Sequence, residues 1–210
     1  MAIYLFDFDG TLVDSMPTYG AMMIQILEDD GVPYPPDVLK IITPLGFTLT
    51  ARYFAEVLGH PRPEAELLEK MYTIAKEAYA NRIPAKSDVV EALRALKARG
   101  DRLNVLTASP HQNLDVCLQR LGIFDLFDHV WSCEDFALGK SDPEIYRAAA
   151  KRLGVDVGDV TFLDDNYNAD KTAKEAGMRV IGVYDDSSAE YEAQIRAVCD
   201  GYICNFKELL

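Results

Sequence analysis

Near the N-terminus the chain reads Ala2-Ile3-Tyr4-Leu5-Phe6-Asp7-Phe8-Asp9-Gly10-Thr11-Leu12-Val13-Asp14-Ser15. The first part of this stretch is a short apolar run that ends in acid and glycine. Such a run is typical of a buried parallel strand whose carboxyl end opens into a loop. Similar apolar runs recur at 103–106, 129–132, 160–163 and 179–183, and we predict a strand at each.

Amphipathic segments separate these predicted strands, at 88–99, 112–121, 143–153 and 168–176. Each segment spaces its apolar residues by three or four, and each is followed by a glycine, as helices often are. The alternation of strand and helix predicts an α/β fold with a doubly wound parallel sheet and right-handed crossovers.

Residues 15–83 interrupt this alternation, because their pattern is helical throughout. We therefore predict two domains, an α/β catalytic core formed by 1–14 and 84–210 and an inserted all-helical cap formed by 15–83. Ligands of such folds bind outside the carboxyl ends of the strands, so we expect the cap to roof the site.

The composition excludes several classes of partner. The 210 residues carry a formal net charge of −13, and this charge disfavours binding to nucleic acid or to an anionic membrane. The longest apolar runs are too short to span a bilayer, and the N-terminus lacks the basic start of a signal peptide. Four scattered cysteines suit a reducing compartment, so we predict a cytoplasmic protein. The oligomeric state, monomer or homodimer, stays open.

Asp7 and Asp9 are the first candidates for chemistry. Two carboxylates two residues apart lie on one side of an extended segment, and Gly10 lets the chain turn sharply after them. One carboxylate can attack phosphorus while its neighbour carries a proton for the leaving group.

Three other predicted strand ends, or the loops beside them, carry polar groups. Thr107-Ala108-Ser109-Pro110 offers a hydroxyl and main-chain N–H groups at the start of a helix, either as an anion cradle or as an ordinary cap. Lys140 precedes another helix and is either part of the site or a solvated charge. The adjacent carboxylates of Asp164 and Asp165 are costly unless a cation neutralises them. Together with Asp7 and the main-chain carbonyl of Asp9 they offer the oxygen ligands that Mg²⁺ prefers.

Taken in this order, the four motifs resemble those of the haloacid dehalogenase-like superfamily, and in particular its phosphatase branch with a helical cap and a Rossmann-like core. The resemblance covers nearly the whole sequence. It implies that Asp7 is the nucleophile and Asp9 the general acid and base. Members that cleave carbon–halogen bonds lack the second aspartate, so the presence of Asp9 favours phosphate chemistry.

The resemblance also assigns the remaining site residues. It implies that Lys140 pairs with the nucleophile and the transferring phosphoryl group, and that Mg²⁺ is the cofactor. The residues that it places around phosphate are Gly10, Thr107, Ala108, Ser109 and Lys140, and those that it places around the metal are Asp7, Asp9, Asp164 and Asp165. Many relatives have proline where this chain has Ser141, a change that we expect to affect loop stiffness more than chemistry.

These observations predict a magnesium-dependent phosphatase that hydrolyses a small phosphorylated metabolite through an aspartyl-phosphate intermediate. A phosphosugar mutase with the same core is an alternative, although Leu49 stands where such enzymes commonly have arginine. A non-catalytic binding protein is a second alternative, and a dehalogenase requires Asp9 to be dispensable. The sequence does not identify the substrate, and it leaves Asp170, His111 and Arg52 without a role.

Overall fold

A six-stranded parallel sheet forms the centre of one of two compact units into which the chain divides. The structure, a computed structural model, describes residues 1–210 with the exception of the side chain of Pro44. The first unit comprises Met1–Asp14 and Pro84–Leu210. Its strands are β1 (Ile3–Phe6), β2 (Arg102–Thr107), β3 (His129–Ser132), β4 (Val160–Asp164), β5 (Arg179–Val183) and β6 (Gly201–Ile203).

The strand order is β3-β2-β1-β4-β5-β6, with every neighbouring pair parallel. The chain winds outward from β1 in one direction and from β4 in the other, so the order reverses between these two strands. Phe6 pairs with Leu163 at the carboxyl ends of β1 and β4. The residues that follow these strands therefore emerge side by side at the point where doubly wound folds bind their ligands. The predicted fold class is confirmed.

Helices cover the sheet and are capped largely as the sequence indicates. They are α5 (Val89–Ala98), α6 (His111–Arg120), α7 (Pro143–Leu153), α8 (Tyr167–Ala176) and α9 (Glu192–Val198). Asn166 caps α8 by accepting hydrogen bonds from the main-chain N–H groups of Asn168 and Ala169. Gly154 and Gly177 end α7 and α8 with a left-handed backbone, which glycine adopts at little cost.

The last two regular elements, α9 and β6, are absent from the sequence-based prediction. β6 has only three residues, and α9 has seven. Segments this short do not establish a hydrophobic period of two or of 3.6 residues, so their pattern cannot be told from that of a loop. The pairing of Ile181 with Gly201 and of Val183 with Ile203 instead depends on the edge that β5 leaves open.

The second unit, Ser15–Ile83, is helical. It contains α1 (Met16–Asp29), α2 (Val38–Ile42), α3 (Gly46–Glu56) and α4 (Glu64–Asn81), with a 3-10 turn over Thr43–Leu45. α4 packs against both α1 and α3. In the part of the chain that the structure describes, no helix combines the length and the apolar character needed to cross a membrane.

Candidate active site

The segment after β1 is a tight turn that lies against the end of β4. The Asp7 main-chain N–H donates to the Leu163 carbonyl at 2.8 Å, which continues the sheet by one residue. The Gly10 N–H then donates to the Val13 carbonyl at 2.9 Å and closes the turn. Gly10 has φ +77°, and a Cβ atom at this position would lie 2.5 Å from Oδ2 of Asp165. Glycine is therefore required here both for its backbone conformation and for the space it leaves.

Three carboxyl groups converge beside this turn. Asp7, Asp164 and Asp165 each offer an oxygen atom within 4.8 Å of the others, and all three side chains are buried. Burial raises the pKa of Asp7 to about 7, with the ammonium group of Lys140 opposing and the carboxylate of Asp164 adding to the rise. Burial, followed by the charges of Asp164 and Asp7, also holds the pKa of Asp165 well above its ordinary value. The cluster is therefore costly to ionise fully without a positive charge.

Lys140 supplies one positive charge to this cluster. Its ammonium group donates hydrogen bonds to Oδ1 of Asp7 and, at 2.8 Å, to Oδ2 of Asp164. The same group lies 5.5 Å from the centre of the Phe162 ring. Burial alone would lower the pKa of Lys140, but the two carboxylates outweigh it and hold that pKa well above the usual value. The Tyr146 hydroxyl donates to the Lys140 carbonyl at 3.1 Å and fixes the loop that carries the lysine.

The end of β2 approaches the second aspartate of the turn. The Ser109 hydroxyl donates to Oδ2 of Asp9 at 2.5 Å. The Thr107 side chain is buried, and its Oγ1 accepts a hydrogen bond from the Ser109 N–H at 3.0 Å. Ala108 is exposed, and α6 begins two residues after Ser109 at His111. The structure thus brings the predicted phosphate-binding segment next to Asp9, whose carboxyl group lies outside the three-carboxylate cluster.

The donor atoms of the cluster suit a hard divalent cation. Carboxylate oxygens are the ligands that Mg²⁺ prefers, and of the three buried carboxyl groups here, those of Asp7 and Asp164 pair with the ammonium group of Lys140. Two of the carboxyl groups are held in place from outside the cluster. The Thr11 hydroxyl donates to Oδ1 of Asp165 at 2.9 Å, and the Asn166 N–H donates to Oδ1 of Asp164 at 2.8 Å. The Thr11 contact leaves Oδ2 of Asp165 for a ligand, whereas Oδ2 of Asp164 accepts the hydrogen bond from Lys140.

Some residues at the site are absent from the sequence-based prediction. Thr11 lies inside the quoted N-terminal motif, so its hydroxyl could have been proposed as a partner of an acidic group. Lys86 donates to the Gly10 carbonyl at 2.6 Å and to the Asp185 carboxylate at 2.9 Å. No pattern in the sequence connects these residues, because 76 positions separate Lys86 from Gly10 and 99 separate it from Asp185.

The three residues left without a role lie in different surroundings. Asp170 is fully buried in α8, and neither of its side-chain oxygens finds a well-formed hydrogen bond among the described residues. His111 contacts the Asp115 carboxylate through Nδ1 at 3.0 Å and the Asp135 carboxylate through Nε2 at 2.9 Å, and these two contacts, the first more strongly, raise its pKa. Arg52 pairs with Glu64 at 3.3 Å, and half of its side chain is exposed.

Comparison with known proteins places this arrangement in a family. The family model for haloacid dehalogenase-like hydrolases matches residues 1–177. The candidate phosphatase YhcW of Bacillus subtilis is 30% identical over 182 residues, covering 84% of this chain and 80% of that protein. A phosphorylated carbohydrates phosphatase of Thermotoga maritima is 27% identical over 184 residues, covering 87% and 85%.

A solved structure shares the fold of this chain. A candidate beta-phosphoglucomutase from Thermotoga maritima superimposes with a TM-score of 0.82 at 25% identity, over 100% of this chain and 97% of that one. The family model covers β1 to β4 and the residues that follow β1, β2 and β4, and the superposition extends over the whole chain. The chain therefore belongs to the haloacid dehalogenase-like hydrolases.

Proposed function

We propose that this protein is a magnesium-dependent phosphatase that hydrolyses a small phosphate monoester through an aspartyl phosphate on Asp7. The observation that carries the proposal is the position of the Lys140 ammonium group, hydrogen-bonded to Asp7 and Asp164 with Asp165 alongside. A buried nucleophile flanked by an ammonium group and two further carboxyl groups suits the transfer of a dianionic group, since opposing charges can be matched at close range.

The chain's own residues would perform two steps. In the first, an oxygen of Asp7 attacks phosphorus, the bond from phosphorus to the ester oxygen breaks, and Asp9 gives its proton to the leaving alkoxide. In the second, Asp9 takes a proton from water as that water attacks phosphorus, and the bond from phosphorus to Asp7 breaks. The Ser109 hydroxyl, which donates to Asp9, would hold the acid and base group in position during both steps.

Asp7, Asp164, Asp165 and the main-chain carbonyl of Asp9 would hold the magnesium ion. When bound, the ion supplies positive charge to the three carboxylates and to the oxygen atoms of the phosphoryl group. Lys140 would neutralise the remaining charge on the phosphoryl group. Thr107, the N–H groups of Ala108 and Ser109, and the turn at Gly10 would orient its other oxygens. The hydrogen bonds of Lys140 to Asp7 and of the Ser109 hydroxyl to Asp9 support these roles, because they bring the residues together. A phosphoryl oxygen would replace Oγ1 of Thr107 as the acceptor of the Ser109 N–H.

The two units would divide the work. The sheet-containing unit would be the catalytic core, and Ser15–Ile83 would be a cap that selects the substrate and excludes water. Relatives named as a phosphorylated carbohydrates phosphatase and a candidate phosphatase support a small phosphorylated metabolite as the substrate class. The four cysteines are free thiols, in agreement with the predicted cytoplasmic location, which stays a prediction.

A phosphosugar mutase is the second candidate, because the similar Thermotoga maritima structure carries a mutase name. Both reactions pass through a phosphorylated Asp7. They differ in the second step, where a mutase returns the phosphoryl group to a sugar and a phosphatase transfers it to water. Sustained release of inorganic phosphate over many turnovers would favour hydrolysis. Conversion of one sugar phosphate into its isomer, with little phosphate released, would favour the mutase.

A panel of phosphorylated metabolites tests the proposal. We expect the purified protein with Mg²⁺ to release phosphate from at least one member, and Asp7→Asn to lower kcat by about 10³-fold or more, as for other essential catalytic groups. Asp128→Asn is the matched control, because Asp128 is a surface aspartate paired with Lys97. Asp7→Asn with unchanged turnover would contradict the assignment of the nucleophile.

A further inference from the structure

Lys86 holds three acceptor atoms at once beside the turn that carries Asp9. Its ammonium group donates to the Gly10 carbonyl at 2.6 Å, to the Tyr184 carbonyl at 2.5 Å and to Oδ2 of Asp185 at 2.9 Å. An ammonium group has three N–H donors, so all of them are used within the sheet-containing unit. The lysine therefore joins the loop after β1 to the loop after β5.

The main chain of Lys86 is itself anchored to the same turn. Its N–H donates to the Leu12 carbonyl at 3.0 Å, and the preceding residue, Ala85, forms an antiparallel bridge with Val13. The side chain of Lys86 is 18% exposed and that of Asp185 is 6% exposed. An ion pair this well shielded keeps a defined geometry, in contrast to the exposed pairs on the same unit.

Of the three acceptors of Lys86, the Gly10 carbonyl oxygen lies in the turn that forms the site. The Gly10 carbonyl belongs to the peptide group between Gly10 and Thr11, so a shift of this group moves the residues on both sides. On one side lies Asp9. On the other lies Thr11, whose hydroxyl donates to Asp165. A Cβ atom on Gly10 would lie 2.5 Å from Oδ2 of Asp165, so little space separates the turn from that carboxyl group.

We propose that Lys86 is a positioning residue that fixes the turn at Gly10, and through it the orientation of Asp9 and Asp165 toward the metal and the substrate. The inference rests on the proposed function of the site and adds to it a residue outside the four motifs. Lys86 itself makes no direct contact with the reacting atoms. Its effect is exerted through the peptide group between Gly10 and Thr11.

The competing explanation is a structural ion pair. Asp185 is buried and close enough for its charge to act on Asp165, so Lys86 could serve only to neutralise it. The two explanations separate in a double variant. Asp185→Asn removes the carboxylate charge, and Lys86→Met in that background removes the ammonium charge together with its hydrogen bonds to the two carbonyls. Loss of a nearby positive charge would by itself strengthen cation binding, so weaker cation binding in the double variant reports the loss of the hydrogen bonds. A purely structural ion pair has nothing left to lose in the double variant.

The experiment compares the wild type, Asp185→Asn and the double variant Lys86→Met with Asp185→Asn. Lys97→Met is the matched control, because Lys97 forms an exposed pair with Asp128 in the same unit. Mn²⁺ serves as the probe of the metal site, and its dissociation constant is measured by electron paramagnetic resonance. Turnover of an active substrate is measured in parallel with Mg²⁺, and thermal unfolding verifies that each variant is folded.

We expect the double variant to bind Mn²⁺ at least fivefold more weakly than Asp185→Asn and to lose at least tenfold in kcat, with KM changed less than threefold. Equal Mn²⁺ affinity and equal kcat in these two variants would overturn the proposal. The Mn²⁺ readout does not depend on catalysis. If the wild type binds Mn²⁺ but hydrolyses no substrate, the proposed function fails while the comparison of affinities still decides the role of Lys86.

Discussion

Asp7 is subject to opposing influences on its ionisation. Burial raises its pKa to about 7, the ammonium group of Lys140 lowers it, and the carboxylate of Asp164 raises it further. A carboxyl group attacks phosphorus only when it is ionised, so the proposed nucleophile depends on the positive charges around it. Among these positive charges, the protein itself supplies the ammonium group of Lys140, which donates hydrogen bonds to both Asp7 and Asp164.

Asp170 provides a prediction at the scale of one residue. Burial, followed by the charge of Asp164, raises the pKa of Asp170 to about 9, with the thiol of Cys199 and the charge of Lys140 opposing. A folded-state pKa above the unfolded value means that the native state holds the proton more tightly. The stabilising contribution is therefore complete below about pH 4 and is lost as the pH rises toward 9.

Asp170→Asn removes this dependence, because the amide stays neutral at every pH. We expect the variant to gain on the wild type as the pH rises from 5 to 8, with a slope of up to about 1.4 kcal/mol in unfolding free energy per pH unit. Urea unfolding at several pH values without divalent cations measures the difference. Asp159→Asn, at an exposed aspartate, is the control. A constant difference between Asp170→Asn and the wild type across this range would contradict the prediction.

At the scale of elements, local patterns predicted five of the six strands and the polar residues at the ends of β1, β2 and β4. A buried strand followed by acid and glycine is a local feature, so the positions of Asp7 and Asp164 in the fold follow from the sequence once the sheet is parallel. The contact of Ser109 with Asp9 joins the ends of β2 and β1 across 100 positions. It depends on the rotamer of each side chain, which no spacing along the chain specifies.

The helical unit illustrates the same difference. The helices of Ser15–Ile83 were predictable from their period, and the structure contains α1 to α4 there. Arg52, in contrast, could be assigned neither to substrate nor to solvent from the sequence. In the structure it pairs with Glu64 from the start of α4, twelve positions later. Such pairs between long exposed side chains form wherever packing brings them together, so they leave no periodic signal.

The turn after β1 gives a prediction at this scale. Gly10→Ala should impose two costs, a left-handed backbone of about 1 kcal/mol and a clash of the new methyl group with the Asp165 carboxyl group. Gly122→Ala is the matched control, because Gly122 has φ +67° and a methyl group there would meet no described atom within 4 Å. Both variants should lose similar stability from the backbone.

Only Gly10→Ala should also lose function, by about 10²-fold or more in kcat/KM, because a displacement near 1 Å at a catalytic group has this effect. Phosphate release and thermal unfolding of the two variants measure the difference. Equal activity in Gly10→Ala and Gly122→Ala would show that the Asp165 carboxyl group can move aside without loss of activity. The close packing of the turn against this group would then not be required for catalysis.

For the whole molecule, the balance of charge is strongly negative. The formal net charge of −13 coexists with a proposed substrate that is itself an anion. Attraction must then come from groups at the site, since the long-range field of the protein opposes the approach of a dianion. Lys140 is one such group, and a cation held by Asp7, Asp164 and Asp165 would be the other. A cation that binds only the folded carboxylate cluster also stabilises the folded state, so metal binding and global stability should be linked.

The last prediction follows from that link. A ligand that binds only the native state stabilises it by about 2.7 kcal/mol at a concentration 100-fold above its dissociation constant. For a chain of this size that corresponds to a rise in Tm of about 5–10 °C. We expect saturating Mg²⁺ to produce such a rise relative to EDTA in the wild type and none in Asp165→Asn, as measured by differential scanning calorimetry.

The metal-free Asp165→Asn protein should itself melt above the metal-free wild type near neutral pH, because a buried carboxyl group with a raised pKa is costly there. An equal Mg²⁺ response in both proteins would mean that the ion binds elsewhere on the acidic surface, and the three carboxyl groups would need another explanation for their proximity.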